Sequence, residues 1–181
     1  MKNEISNLLA SVAHLFTCCE LAANASTPKM VLKELAANEY PRVRATVSQN
    51  TSTPVATLVK LASDAEPNVR CGVALNTKAP VYLLKELAHD DESCVRHALA
   101  VNPKTPFNDF LRNPDWRVRE IAAAWPHLAV QSIWKLQSDP AWQVRLELAR
   151  NPAVPFLVID SLQTDECASV AMEAKCQLQR R

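Results

Sequence analysis

Residues 50–75 read NTSTPVATLVKLASDAEPNVRCGVAL, and residues 76–101 repeat the phrase as NTKAPVYLLKELAHDDESCVRHALAV. Counted from its opening Asn, each phrase has apolar residues at offsets 8 and 11, Asp at offset 14 and Val-Arg at offsets 19 and 20. Six versions of the phrase, five of them 26 residues long, fill the chain from Asn24 to residue 176. A fixed period in this range is the sequence signature of a solenoid, in which each repeat buries its apolar face only against its neighbours.

The local signals within each repeat predict two short helices and no strand. Thr-Pro, as at Thr53 and Pro54, predicts the start of the first helix, with the hydroxyl capping backbone amides and Pro at the first helical position. Asp or Asn at offset 14 begins the second segment, and the Asn of the next repeat predicts a left-handed residue at the helix end. The apolar columns that we expect to form the core contain Leu32, Leu35, Leu58, Leu61, Leu84, Leu87, Ile133, Leu136, Ile159 and Leu162.

These signals predict an all-α solenoid of about six two-helix repeats. A chain of 181 residues with 48% apolar residues is expected to form one domain. We predict an N-terminal capping helix within residues 1–23 and a C-terminal tail in residues 177–181. The predicted repeats are 24–49, 50–75, 76–101, 102–124, 125–150 and 151–176.

An acid or amide precedes the arginine of the Val-Arg pair by six residues in five repeats. Stacking brings both residue types into columns, so each arginine can bond a carboxylate or a helix-end carbonyl of its own repeat or the next. We interpret this column as a structural ladder, because each arginine has a built-in partner and a half-satisfied buried charge is costly. A stripe of phosphate-binding arginines is the functional alternative. The ladder contains Asn38 with Arg44, Asp64 with Arg70, Asp90 with Arg96, Asn113 with Arg119, and Asp139 with Arg145.

Over residues 24–176 this phrase, in outline NPxTPxxxLxxLAxDxxxxVRxxVAxN, resembles the leucine-rich repeat variant family. The resemblance implies a solenoid loosely related to HEAT and armadillo proteins, in which an α-helix is paired with a shorter, often 3₁₀, helix in a right-handed superhelix. It implies no enzymatic activity. Some members carry an N-terminal cysteine-rich module that binds an iron–sulfur cluster. Here the N-terminal segment offers only Cys18 and Cys19, so we expect no such module.

The fourth repeat, residues 102–124, is three residues short, and the missing residues fall between Pro106 and Asn113. All four tryptophans lie around this interruption. Two interpretations remain open. The large rings fill the gap, or the shortening opens a notch that binds a partner, since Trp and Arg dominate interface hot spots. The tryptophans are Trp116, Trp125, Trp134 and Trp142, and the predicted partner-binding residues are Trp116, Trp142, Arg117 and Arg112.

Composition removes several classes of function. The net charge of +1 gives no overall field for nucleic acid or anionic membrane. Gly72 is the only glycine, so glycine-rich phosphate-binding loops are absent. Of the four histidines, His89 and His97 share the third repeat, and none has a nucleophile or carboxylate at motif spacing. No apolar run is long enough to span a bilayer.

The six cysteines include no CxxC pair, which favours reduced thiols in the cytoplasm.

The sequence therefore predicts a non-catalytic cytoplasmic scaffold that binds another protein and holds no metal or cofactor. A nucleic-acid-binding module is the first alternative, because Arg42, Arg112, Arg117 and Arg150 lie outside the ladder and could form a basic strip beside tryptophans. Acidic neighbours of these arginines weigh against it. A metal- or iron–sulfur-binding protein is the second alternative.

Overall fold

The computed structural model describes the backbone of residues 2–180 and the side chains of residues 13–180. Within that part of the chain every regular element is an α-helix. The chain separates into two compact units, one formed by residues 1–98 and 102–104 and the other by residues 99–101 and 105–181. The division falls close to the predicted start of the shortened fourth repeat, where a single domain was expected.

The first unit begins with the predicted N-terminal helix and continues with three helix pairs. The apolar residues of this helix before position 13 lie outside the described side chains; its second half buries Cys18 and Ala22 and packs on the first repeat. We call the two helices of each pair the first and the second helix. The elements are α1 (Lys2–Ala23), α2 (Lys29–Leu35), α3 (Pro41–Gln49), α4 (Val55–Leu61), α5 (Pro67–Leu75), α6 (Val81–Leu87) and α7 (Ser93–Ala100).

The second unit contains three further pairs, and the first of them is unusual. Its first helix has four residues, whereas the first helices of the other repeats have seven. The last helix continues through Gln179, so residues 177–179 are helical and do not form the predicted tail. The elements are α8 (Phe107–Phe110), α9 (Trp116–Ala123), α10 (Val130–Leu136), α11 (Trp142–Arg150), α12 (Phe156–Leu162) and α13 (Ala168–Gln179).

The core of each unit lies where the first and second helices meet, and the second helices of successive repeats pack on each other, as α3 does on α5 and α11 does on α9 and α13. The two predicted core columns are confirmed, except that Leu35 is only half-buried. In the shortened repeat, Phe107 and Phe110 are buried in place of the recurring aliphatic residues. The chain is thus an all-α helical repeat protein, and both helices of every repeat are α-helical rather than one being 3₁₀.

The threonine before each Thr-Pro proline does not cap the helix that follows it. Helices α2, α4 and α8 begin one residue after the proline, which is itself the N-cap, and their N-caps make no side-chain hydrogen bond. The hydroxyl instead donates to a carbonyl in the last turn of the preceding helix, where carbonyls lack helical partners. The three bonds run from Thr27 to Leu21 at 2.6 Å, from Thr53 to Val47 at 2.6 Å and from Thr105 to Leu99 at 2.7 Å.

The asparagine that opens each repeat is not left-handed either. Asn50, Asn76 and Asn151 have extended backbone, and no non-glycine residue of the described chain has a positive φ. The Asn76 side-chain amide donates to the carbonyls of Ser48 and Asn50 at 2.7 and 3.0 Å. Asn50 and Asn102 make equivalent bonds in the first unit, and Asn151 does so in the second. These amides connect the segments that precede α4, α6, α8 and α12 to the repeats before them.

Candidate functional site

The arginine ladder exists, but its carboxylates come from the following repeat. Arg70 donates from Nε and Nη2 to both carboxylate oxygens of Asp90, at 2.7 and 2.9 Å. Its Nη1 donates to the main-chain carbonyl of Asp64, the residue that the sequence paired with it, at 2.8 Å. The same pair of hydrogen bonds to the next repeat joins Arg44 to Asp64, Arg119 to Asp139 and Arg145 to Asp165.

The ladder changes at Arg96, which is buried. Arg96 donates to the carbonyls of Asp90 and Asp91, at 2.8 and 2.9 Å, as the other arginines do in their own repeats. The position twenty residues further on is Trp116 and not an aspartate, because the deletion shifts the register of the fourth repeat. The four arginine–aspartate pairs named above each lie within one unit.

Electrostatics as well as hydrogen-bond geometry stabilise these arginine–aspartate pairs, which we call the rungs of the ladder. The Arg44 guanidinium, hydrogen-bonded to Asp64, holds the pKa of that carboxyl below its usual range against the effect of burial. Arg145 lowers the pKa of Asp165 in the same way. At Asp90 burial favours the neutral acid, yet the hydrogen bond from Arg70 and that from the Glu92 N–H outweigh it and lower the pKa. Guanidinium groups held in this manner have little capacity left for an external phosphate.

The four tryptophans have different roles. The Trp125 ring stacks on Phe107 with centroids 4.1 Å apart and planes 9° from parallel. Trp116 is half-buried and packs against the apolar core of the second unit. Trp134 and Trp142 are 50% and 43% exposed. The gap-filling interpretation therefore describes Trp125, and exposure suitable for a partner is found at Trp134 and Trp142.

A groove of about 590 Å³ lies beside the shortened helix α8. Arg112 contributes to it together with Lys135 from α10 and Asp109 from α8. Arg117 instead lies at the start of α9, where the capping Asp115 carboxylate accepts from the Arg117 backbone N–H and lies 3.1 Å from its guanidinium. The groove is lined by Asn108, Asp109, Leu111, Arg112, Ser132 and Lys135, so Trp116, Trp142 and Arg117 are not among its lining residues.

A row of exposed apolar side chains on the first helices was not predicted. In every full-length first helix, offsets 5, 6 and 9 lie on the opposite side from the buried offsets 8 and 11. We call the exposed residues at offsets 5, 6 and 9 the first-helix face of a unit. In the first unit this face consists of Lys29, Met30, Lys33, Val55, Ala56, Val59, Val81, Tyr82 and Lys85, and in the second unit of Val130, Gln131, Trp134, Phe156, Leu157 and Asp160.

Exposure on these faces is substantial. Met30 is 67% exposed and Tyr82 is 53% exposed in the first unit, and Phe156 and Leu157 are 56% and 69% exposed in the second. The signal was present in the sequence as apolar residues on the solvent side of amphipathic helices. It was missed because apolar residues at offsets 5, 6 and 9 look like extra core residues until the packing of each helix is known.

Two of the arginines outside the ladder are engaged by acids of their own unit. Arg117 bonds Asp115, and Arg150 lies 2.7 Å from the Glu147 carboxylate and 3.7 Å from that of Glu173. This neutralisation reduces the positive charge that a nucleic-acid strip in the second unit would need.

Cys71 and Cys94 are neighbours in the first unit. Burial and the neighbouring Cys94 raise the pKa of the Cys71 thiol to about 12. A thiol that stays protonated is a poor nucleophile, because the thiolate is the reactive form. Among the described helices, none combines the length and the apolar character that crossing a membrane requires.

Comparison with solved structures finds similar helical proteins at low sequence identity. A leucine-rich repeat variant with a novel repetitive structural motif is 20% identical, with 83% of this chain and 71% of that chain covered and a TM-score of 0.36. An engineered protein is 19% identical, with coverage of 90% and 87% and a TM-score of 0.33. No protein-family model and no curated protein matches the chain. The repeat fold is established by the chain's own helices.

Proposed function

We propose that this chain is a non-catalytic scaffold that binds another protein through the first-helix faces of its two units. The observation that carries the proposal is the set of large apolar side chains held in solvent at equivalent positions of successive repeats. Contiguous exposed apolar surface in a folded protein marks an interaction site. Repeat proteins can vary such surface positions while the core and the ladders stay constant.

The rigidity of each unit supports this proposal. The first helices are fastened to the next repeat at their start by asparagine amides and at their end by arginine–aspartate pairs. A surface that is already ordered loses little conformational entropy when it binds. Free thiols and an interior stabilised by stacking suit the cytoplasm as the proposed compartment.

The test is affinity capture with the full chain as bait. Wild type should retain a specific protein from a cell extract, and Trp134→Ser with Leu157→Ser, or Val55→Ser with Tyr82→Ser, should reduce its recovery by about tenfold or more. Met172→Ser is the matched control, because Met172 is 67% exposed but lies on the second helix α13. Circular dichroism should show unchanged helix content in all variants.

Recovery that is equal for wild type, both face variants and the control would refute the proposal. Trp142→Ala separately tests the partner-binding residue predicted from the sequence, because Trp142 is exposed at the start of α11. Trp116 is unsuitable for the same test, since its ring packs on the core and its removal would alter stability.

A further inference from the structure

The first-helix face of the first unit has a defined charge pattern. It contains three lysines and no acidic residue among its nine positions. Lys29 and Lys33 lie on α2, Lys85 lies on α6, and α4 between them in sequence contributes only Val55, Ala56 and Val59. Glu34 and Glu86 follow at the next offset, and the equivalent residue of α4 is Lys60. The face therefore has an apolar middle, with the two lysines of α2 at one end.

The three helices that carry this pattern are held in register. At their starts, Asn50 bonds the Asn24 carbonyl and Asn76 bonds the Asn50 carbonyl, each at 3.0 Å. Beyond the ends of these helices, the Arg44 guanidinium donates hydrogen bonds both to the Asn38 carbonyl and to the Asp64 carboxylate. Arg70 joins the Asp64 carbonyl to the Asp90 carboxylate. Because both ends of successive helices are connected, α2, α4 and α6 hold equivalent places in their repeats, and their exposed sides together make up the face.

From this surface we infer that the first unit binds an acidic amphipathic segment of its partner protein. Apolar side chains of that segment pack on the valines of α4 and on Tyr82, and its carboxylates meet Lys29 and Lys33 of α2. Complementary charge at one end of an apolar patch fixes the register of the bound segment and raises its association rate. The inference rests on the proposed function and specifies the chemistry of the partner.

The experiment selects short random peptides displayed on phage against the full chain and measures the affinity of a selected, fluorescein-labelled peptide by anisotropy. Selected peptides should combine aromatic or aliphatic residues with several Asp or Glu residues. The double variant Lys29→Glu with Lys33→Glu should weaken binding by about tenfold. Raising the salt concentration from about 50 mM to about 500 mM should weaken the wild type more than the variant, because salt screens exposed charges.

A charge-swapped peptide provides the sharpest control. Replacing its acidic residues with lysine should abolish binding to the wild type and restore binding to the Lys29→Glu, Lys33→Glu variant. Lys175→Glu makes the same kind of charge change on α13 of the second unit and should leave the affinity within about twofold of wild type. Circular dichroism checks that each variant is folded.

The outcomes separate this inference from the function on which it rests. Peptides without acidic enrichment, or affinity that is insensitive to the lysine reversal but lost in Val55→Ser with Tyr82→Ser, would overturn the acidic partner and leave protein binding intact. Affinity that is unchanged in Val55→Ser with Tyr82→Ser would remove the first unit's face as a binding site. Sedimentation with phosphatidylcholine–phosphatidylserine vesicles covers the remaining case. Lysine-dependent vesicle binding without selected peptides would assign the face to a lipid surface and refute the inference.

Discussion

The single glycine shows how closely the second helices of successive repeats approach each other. Gly72 is buried within α5, where a glycine costs about 1 kcal/mol relative to alanine. A Cβ at this position would lie 1.8 Å from Ser48 Oγ and 3.0 Å from the Ala45 carbonyl oxygen of α3. The glycine is required by this close contact and not by its backbone conformation, which is helical.

Gly72→Ala should therefore destabilise the chain despite the better helix propensity of alanine. We expect a loss of about 1–3 kcal/mol in the free energy of unfolding, as for other overpacked sites, measured by urea denaturation. Adding Ser48→Ala should recover part of the loss, because it removes the nearest atom, while Ala45 O still limits the fit. A Gly72→Ala variant as stable as wild type would contradict the assigned contact.

The opening asparagines act through their side chains. Asn76→Ala should cost about 1–3 kcal/mol in unfolding free energy, because it removes the side-chain donor to the buried Ser48 carbonyl and one of the two donors to the Asn50 carbonyl. Asn68→Ala, an exposed substitution on α5, is the control and should change stability by less than about 0.5 kcal/mol. Equal effects of the two substitutions would show that the amide bonds contribute nothing.

The shortened helix α8 shows how an element can lose nearly a turn and keep its core. Phe107 and Phe110 are buried where longer first helices place aliphatic side chains, and Trp125 stacks on Phe107. Trp125 occupies the position at which the other repeats open with Asn. An aromatic stack thus stands at a repeat boundary where the other repeats have an amide that bonds two carbonyls.

This arrangement predicts unequal effects for two tryptophans of the second unit. Trp125→Ala should lower the free energy of unfolding by about 2–3 kcal/mol, through lost burial and lost stacking. Trp134→Ala should change it by less than about 0.5 kcal/mol, because that ring is half-exposed on the first-helix face. Urea denaturation followed by circular dichroism distinguishes the two. Similar losses for both rings would contradict the difference in their roles.

Across the whole molecule, the charged ladder couples stability to pH. The pKa values of Asp64, Asp90 and Asp165 are lowered in the folded chain. Groups of this kind contribute stability that is fully present above their unfolded pKa, about 3.9 for Asp, and is lost as the pH falls through the folded pKa. Both units contain such a carboxylate, so acid should weaken both.

The free energy of unfolding should accordingly decrease as the pH falls below about 4. Asp64→Asn should lose about 2–4 kcal/mol at about pH 7, because Arg44 is left without its carboxylate. The variant should also lose less stability than wild type on acidification, because it lacks one of the carboxylates whose protonation is linked to unfolding. Glu39→Gln, at an exposed position of the same unit, should behave as wild type. If the free energy of unfolding of the Asp64→Asn variant fell with pH as much as that of wild type, this would contradict the role assigned to the Asp64 carboxylate.

The sequence by itself determined the helix pairs, the buried columns and the place of the deletion, because these follow from periodicity and from local start and stop signals. Only the tertiary structure decided which partner each recurring polar residue takes. The threonine hydroxyl bonds a carbonyl of the preceding helix, and the asparagine amide bonds a carbonyl of the preceding repeat. The arginine guanidinium bonds the aspartate of the following repeat. It also decided which apolar residues stay in solvent. The asparagine and arginine partners lie twenty or more residues away along the chain, so a local pattern does not reveal them. Whether Val55 or Leu58 is covered depends on which side of α4 the neighbouring helices occupy.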